Sequence, residues 1–303
     1  MQVKEKYQYR AAVVIPTFNA GKLFTEVLDR VRQQHTPWQF QIVIVDSSSN
    51  DGTQEYLQKQ QDILFHTIPQ SQFQHGATRN LGIKLSDAEY VAFLTQDALP
   101  ASNYWLYDLV SCLEAHPSAA GVFGRHIAYE EATEFTKRDL LQHFAGFDQF
   151  PVELSLQTDF EKVKQGDRGW NQVLHFYSDN NSCLRRSVWE KYPYPEVAYG
   201  EDQFWADMII KAGYSKVYSK AALVYHSHDY NYQETFKRAK TEKEFFWSCF
   251  GYKMVANRKQ MEIDLAAINK RDIEYGKKKD LSMKEILHQL SLNRAKFEGW
   301  ASL

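Results

Sequence analysis

The sequence predicts an α/β domain built on a mostly parallel sheet with helices on both faces. Short, continuously apolar runs at residues 11–15, 42–45 and 90–94 have the length and two-sided apolarity of strands buried on both faces. Stretches with helical spacing alternate with them at short intervals, which is the rhythm of strand–helix–strand units. The runs at 42–45 and 90–94 end in polar turns that carry carboxylates, and ligands of open α/β sheets bind at that edge.

Residues 11–15 form the first strand, which Pro16 is expected to stop. A helix follows from about 21 to 34, with Leu23, Val27, Leu28 and Val31 on one face. Residues 42–45 make the second strand, and residues 46–53 a polar turn into another helix. A third strand at 63–67, a helix at 77–85 and a fourth strand at 90–94 complete the regular part. Beyond Pro100 the rhythm loosens. A helix at 103–115 leads into an apolar stretch around 121–124, then a polar and aromatic segment reaches about residue 178. A connection of that length is functional or flexible more often than it is passive. A helix at 200–212 and a last strand at 223–225 close the domain. From about 233 onward the chain reads as helical, with Met261, Leu265, Ile268, Ile286, Leu287 and Leu290 spaced as amphipathic faces. The expected division is a domain over residues 1–230 and a helical extension over 231–303.

Composition sets the broad class. The 303 residues are 44% hydrophobic, with 19 Phe and 18 Tyr, enough for a sizeable core and unlike a disordered chain. A net charge of −2 argues against a protein devoted to nucleic acid. Residues 231–303 hold 15 Lys and Arg against 10 Asp and Glu, whereas the preceding 230 hold 21 against 28. A basic tail on an acidic body suggests an anionic partner surface such as membrane headgroups. Three scattered cysteines without metal-ligand spacing, no apolar run of spanning length and no signal core lead to the expectation of a cytoplasmic protein.

Candidate chemistry gathers at the strand ends. Asp97 in Thr95-Gln96-Asp97-Ala98 either caps the next helix or holds a divalent cation against a diphosphate, because hard cations take carboxylate oxygen and share substrate phosphates with it. Asp46 and Asp51 flank a turn that either accepts hydrogen bonds from a nucleoside or is an Asx turn with a helix cap. Glu201-Asp202 opens a helix. His75 and Arg79 stand one helical turn apart, suited to a diphosphate or merely exposed on a helix. His226 and His228 follow the last strand, where imidazole is a common metal ligand, though such a pair is more often structural. No Gly-rich dinucleotide fingerprint or Walker-type loop follows the early strands, so neither hydride transfer nor ATP hydrolysis is indicated.

Taken jointly, Pro16-Thr17-Phe18-Asn19, the 45–53 segment from Val45-Asp46 to Gly52-Thr53, the Gln96-Asp97-Ala98 turn and Gly200-Glu201-Asp202 resemble family 2 glycosyltransferases of the GT-A fold, over roughly residues 13–230. His75-Gly76-Ala77-Thr78-Arg79-Asn80 and the Gln-Asp-Ala form look most like bacterial rhamnosyltransferases, which build surface polysaccharide from dTDP-L-rhamnose. The resemblance implies a nucleotide-binding half at about 1–100, with Pro16, Thr17, Asn19, Asp46, Asp51, His75, Arg79 and Gln96 on the donor. It implies an acceptor half at about 101–230, Mg2+ or Mn2+ held by Asp97 and His226 (His228 as the alternative), and Asp202 as the base of an inverting transfer. Glu201 would orient the base or the acceptor. Gln96 stands where the family usually has a second acid, which leaves the metal site with less charge.

Trp170 and its aromatic neighbours in the 127–178 segment either shape a saccharide site or form a second small core. Asn181 is a candidate acceptor contact. The C-terminal aromatics among Lys and Arg suggest a peripheral membrane contact near a lipid-linked acceptor, or else helix packing or a homodimer. The rival functions are the same fold using a UDP-hexose donor, and a non-catalytic sugar-nucleotide-binding protein.

Overall fold

A computed structural model describes residues 6–302. Nine strands form one mixed sheet: β1 (Tyr9–Thr17), β2 (Phe40–Asp46), β3 (Leu64–Thr67), β4 (Ala88–Leu94), β5 (Leu99–Pro100), β6 (Ala119–Ile127), β7 (Glu153–Leu154), β8 (Asn181–Arg185) and β9 (Ser215–Tyr225). Their spatial order is β3-β2-β1-β4-β8-β6-β9-β5, with β7 pairing off this path on β9. The first four strands run parallel, so the carboxyl ends of β1, β2 and β4 share one edge. The strand order reverses between β1 and β4, and such a switch point opens a crevice for ligands.

Alternating side chains cover both faces of the sheet. Val13 and Ile15 of β1 join Ile44 and Leu94 in a core with helix Leu23–Arg32 (Phe24, Val27, Leu28, Val31) and helix Trp105–Ala115 (Trp105, Leu109, Leu113). On the other face Val14, Val43, Val45 and Phe93 pack with Ile83 of helix His75–Leu85 and with Trp205, Ile209 and Ile210 of helix Glu201–Lys211. A period of two in strands whose two faces are both covered gives the unbroken apolar runs seen in the sequence.

The structure corrects two expectations. Pro16 does not stop β1, which continues to Thr17. Pairing with β4 ends at Val14, while pairing with β2 runs on to Thr17, so Pro16 has no ladder partner to lose on the β4 side. Asn181–Arg185, to which the sequence reading gave no element, is the antiparallel strand between β4 and β6. Its polar start, Asn181-Ser182, hid it from a hydrophobic pattern. The segment after β6 is also not a plain connection: it holds helices Glu134–Phe147, Phe160–Gln165 and Arg168–His175.

By internal contacts the chain divides into one unit of residues Met1–Glu130 and Leu140–Ser227 and a second of Glu131–Asp139 and His228–Leu303. The second unit is built on helices Tyr232–Phe250, Arg258–Lys278 and Met283–Ala301, two of them opened by capping boxes, Asn231 with Glu234 and Ser282 with Glu285. Met261, Leu265 and Phe297 form its small core, and buried Asp272 pairs with Arg138 at 2.9 Å. Of the apolar positions anticipated in the tail, Met261, Leu265 and Ile286 are buried, whereas Leu287 is exposed. Among the described residues no helix is long and apolar enough to cross a membrane.

Helix His75–Leu85 seats on β1 through Gly82, where any Cβ would collide with Val14 Cγ1. Val14 is fully buried and has nowhere to retreat. Gly82→Ala is therefore expected to destabilise the first unit by about 1–3 kcal/mol, read as a lower denaturant midpoint at unchanged m-value.

Candidate active site

At the carboxyl edge, the loops after β1 and β2 are stitched together. Asp46, at the end of β2, is fully buried and accepts from Thr17 Oγ1 (2.9 Å), Ser49 Oγ (2.6 Å) and the Ser49 backbone N–H (2.9 Å). Asn19, at φ 47°, donates its backbone N–H to Ser49 Oγ (2.8 Å), and its Oδ1 accepts from the Asn50 N–H (2.9 Å). Asp51 accepts from the Thr53 backbone and hydroxyl through Oδ1 and from the Gly21 N–H through Oδ2 at 3.0 Å. The Thr53 hydroxyl bond is the main cause holding its carboxyl below the ordinary range, where it stays charged. Both acids thus organise the turn, as the Asx-turn and capping alternative has it. Pro16, half-buried, lies in the same rim.

Gln96 bridges the switch point. Its Oε1 accepts from the Phe18 N–H at 2.8 Å, and its Nε2 donates to the Phe18 carbonyl at 3.1 Å. Both ends of the amide are engaged by the main chain of one residue, so this side chain clamps the end of β1 to the end of β4. One residue on, Asp97 Oδ1 stands 3.6 Å from His226 Nε2, just past the end of β9. The Asp97 carbonyl accepts from Tyr129 OH at 3.0 Å, which steadies the turn. On its other side the His226 ring has Nδ1 3.4 Å from Asn180 Nδ2. His228 begins the second unit, where its ring stacks on Tyr230.

Helix Glu201–Lys211 begins behind Gly200, whose φ of 71° suits glycine. Asp202 Oδ2 accepts from the Asp179 backbone N–H at 3.3 Å, and Oδ1 from the Gln203 N–H at 2.8 Å. Burial, then Glu201 and Asp179, push its carboxyl well above the usual carboxylate range, with Arg79 opposing. Glu201 is buried against Arg79 Nη1, and Arg79 Nε lies 3.2 Å from Asp179 Oδ2. The Arg79 guanidinium, expected at a diphosphate, instead faces inward between two carboxylates and is 4% exposed. His75 is exposed, with its ring edge-on to Phe73; desolvation of the ring by the groups packed beside it lowers its pKa, Glu201 opposing and Arg79 assisting.

Two anticipated acceptor contacts sit elsewhere. Trp170 is buried in the second core layer, against Phe150 and under Lys162, as the small-core alternative has it. Asn181 is fully buried, accepting from Trp105 Nε1 at 2.7 Å and donating to the carbonyls of Ala222 (2.8 Å) and Arg125 (3.1 Å). Large aromatic and amide groups suit a sugar site and a core equally, so composition alone did not separate them.

The remaining residues converge. From Asp97 to His226, to Asn180, along one peptide to Asp179 and on to Asp202, each side-chain or backbone step is 3.3–3.6 Å. Asp179 was missed by the sequence reading, which had Asn180 only as a candidate donor or acceptor contact. The signal available was a polar run, Ser178-Asp179-Asn180-Asn181-Ser182, flanked by too little apolar sequence to mark it as a strand entry.

Parallel strands presenting acids at a switch point, with a carboxylate–imidazole pair nearby, fit a nucleotide-sugar glycosyltransferase of the GT-A type, and the family comparison shows that class. The chain belongs to glycosyl transferase family 2, whose model matches residues 12–192. It is 34% identical over 233 residues to the O-antigen chain rhamnosyltransferase RfbN of Salmonella typhimurium, covering 76% of this chain and 70% of the relative. It is 30% identical to the O-antigen chain rhamnosyltransferase WbaN of Salmonella anatum, covering 75% and 69%. Among solved structures, the mannosyltransferase PcManGT from Pyrobaculum calidifontis, in complex with GDP-Man and Mn2+, matches with a TM-score of 0.61 at 16% identity over 97% of this chain and 87% of that one. That likeness supports the fold.

The Gln96 clamp makes an unintuitive prediction. Gln96→Glu adds the second acid common in the family, yet a carboxylate cannot donate to the Phe18 carbonyl and sets oxygen against oxygen. Losing one such bond costs about 1 kcal/mol. Nucleoside diphosphate binding without metal, measured by calorimetry, is expected to weaken several-fold. Binding as tight as wild type would show that the clamp is dispensable.

Proposed function

We propose that this glycosyltransferase is an inverting rhamnosyltransferase, moving L-rhamnose from dTDP-L-rhamnose onto a saccharide or lipid-linked saccharide acceptor in bacterial surface-polysaccharide synthesis. The names of the two Salmonella relatives support the donor sugar and the pathway class. The observation that carries the mechanism is the unbroken run of contacts joining Asp97, His226, the 179–180 segment and Asp202.

The half formed by residues 1–100 takes the nucleotide. Thr17, Asn19 and Pro16 line its pocket, Asp46 and Asp51 hold that pocket's two loops in register, and Gln96 closes it on the β4 side. The half formed by residues 101–230 takes the acceptor against Asp202, with Glu201 and Arg79 fixing the start of that helix. Asp202 accepts the proton of the acceptor hydroxyl as that oxygen attacks the anomeric carbon opposite the leaving diphosphate. A single displacement with one base inverts the centre and needs no covalent intermediate. Raised basicity suits this task, because a carboxylate of ordinary pKa is a weak base toward an alcohol.

The donor set of Asp97 and His226 fits a divalent cation such as Mg2+ or Mn2+. One carboxylate oxygen and one imidazole nitrogen face each other, and hard cations at such sites complete their shell with substrate phosphate and water. Bound there, the ion would neutralise charge on the departing diphosphate. His228 is the alternative imidazole.

We place a peripheral membrane contact in the second unit. Trp247 is 54% exposed, with Lys253 Nζ 5.8 Å from its ring, the pairing of aromatic and basic groups that suits an anionic lipid surface. Liposome co-sedimentation should rise with anionic lipid and fall with salt; indifference to both removes this contact.

A donor screen tests the central reading. Incubation with dTDP-rhamnose and with UDP-sugars, with and without Mn2+, should release nucleoside diphosphate fastest from dTDP-rhamnose and only with metal. Faster release from a UDP-hexose replaces the donor, and full activity under EDTA removes the metal ligands. Asp202→Asn should retain donor binding within a few-fold and lose roughly 10²–10⁴ in kcat.

A further inference from the structure

Asp179 is wholly buried at the junction of three elements: the segment entering β8, helix His75–Leu85 and helix Glu201–Lys211. Its Oδ1 accepts from Ser182 Oγ at 2.6 Å and from Tyr194 OH at 2.9 Å, while Oδ2 faces Arg79 Nε at 3.2 Å. Its backbone N–H donates to Asp202 Oδ2. One guanidinium therefore faces three carboxyls, those of Asp179, Glu201 and Asp202. The groups around the Asp202 carboxyl are Glu201 on its own helix, Arg79 from helix His75–Leu85, and Asp179 and Tyr177 from the segment before β8. His75 acts on Glu201 and Arg79, and Tyr194 on Asp179 and Arg79.

We infer that Asp179 is a positioning residue for the transfer reaction, holding the Asp202 carboxylate through its main chain and setting, through its buried side-chain charge, how strongly Asp202 takes the acceptor proton. This rests on the reading of Asp202 as the base. Like charges that share a desolvated site cannot all ionise freely, so each carboxyl makes the others harder to deprotonate. Asp179 also occupies one side of Arg79. Take its charge away and Arg79 turns its full charge on Glu201 and Asp202. Both effects act in one direction, and they leave Asp202 a weaker base that ionises at lower pH. The Asp179 carboxyl itself is pushed up to about 6, chiefly by burial.

The experiment is the pH dependence of kcat/KM, whose acid limb reports the free enzyme's base. In Asp179→Asn that limb should move down by about one pH unit, while the plateau falls several-fold and nucleoside diphosphate affinity stays within twofold. Asp179→Glu, which keeps the charge, should hold the limb near wild type. A folded Asp179→Asn protein with an unmoved limb overturns the inference. Should that protein fail to fold, Tyr194→Phe decides: it strips one hydrogen bond from Asp179, favours its protonated form and should shift the limb the same way by less. No shift there overturns the inference as well. Asp202→Asn separates the two readings, since wild-type turnover in that variant removes the base itself, whereas an inactive Asp202→Asn with an unmoved Asp179→Asn limb removes only the role of Asp179.

Discussion

The buried Arg79 guanidinium is the interaction around which the Asp202 side of the candidate site is arranged. It lies between Asp179 on the chain entering β8 and Glu201 at the head of the following helix, and it reaches both from a helix seated on the sheet. Charges removed from water this completely persist only when paired, and removing one partner from such a pair typically costs about 3–5 kcal/mol. Asp202 adjoins Glu201 in sequence and takes a hydrogen bond from the Asp179 backbone. Its position therefore follows from the ion cluster, whereas its basicity comes first from burial and then from the neighbouring carboxyls, with Arg79 opposing.

The loops proposed to take the nucleotide depend on a different physics. There the acids are spent on local order. Asp46 gathers Thr17 and Ser49 at the ends of adjacent parallel strands, and Asp51 ties the helix start at Thr53 to the loop at Gly21. Gln96 adds the crossing from β4 to β1. A pocket built from loop backbone held by short side chains is preorganised, so little ordering is left to oppose ligand binding. The Gln at this position then has a reason of its own: an amide can both donate and accept across the switch point, which a carboxylate cannot do.

The family resemblance and the alternating pattern made the first four strands and most helices of the first 115 residues legible in the sequence. Strands covered on both faces must be apolar throughout, and the helices between them must keep one apolar stripe. The candidate acids Asp97 and Asp202 stood out for the same reason, since each lies at the end of an apolar or helical run. β8 was hidden because it opens with Asn181 and Ser182, the first satisfied by buried partners far away in sequence and the second by buried Asp179 three residues before it. Trp170 and Asn181 carried the right chemistry for a saccharide site, yet packing placed both in the interior.

By itself, then, the order of residues determined the α/β class, the edge at which chemistry gathers and the family. Those properties follow from local periodicity and from short motifs whose meaning does not depend on distant chain. Only the tertiary structure decided which acids are wrapped in hydroxyls and amides and which stand beside an imidazole or other carboxyls. That distinction turns on what faces each carboxylate: hydroxyls and amides around Asp46, an imidazole beside Asp97, and other carboxyls around Asp202. Partners tens of residues away along the chain are invisible to a pattern that spans one turn of helix or one strand.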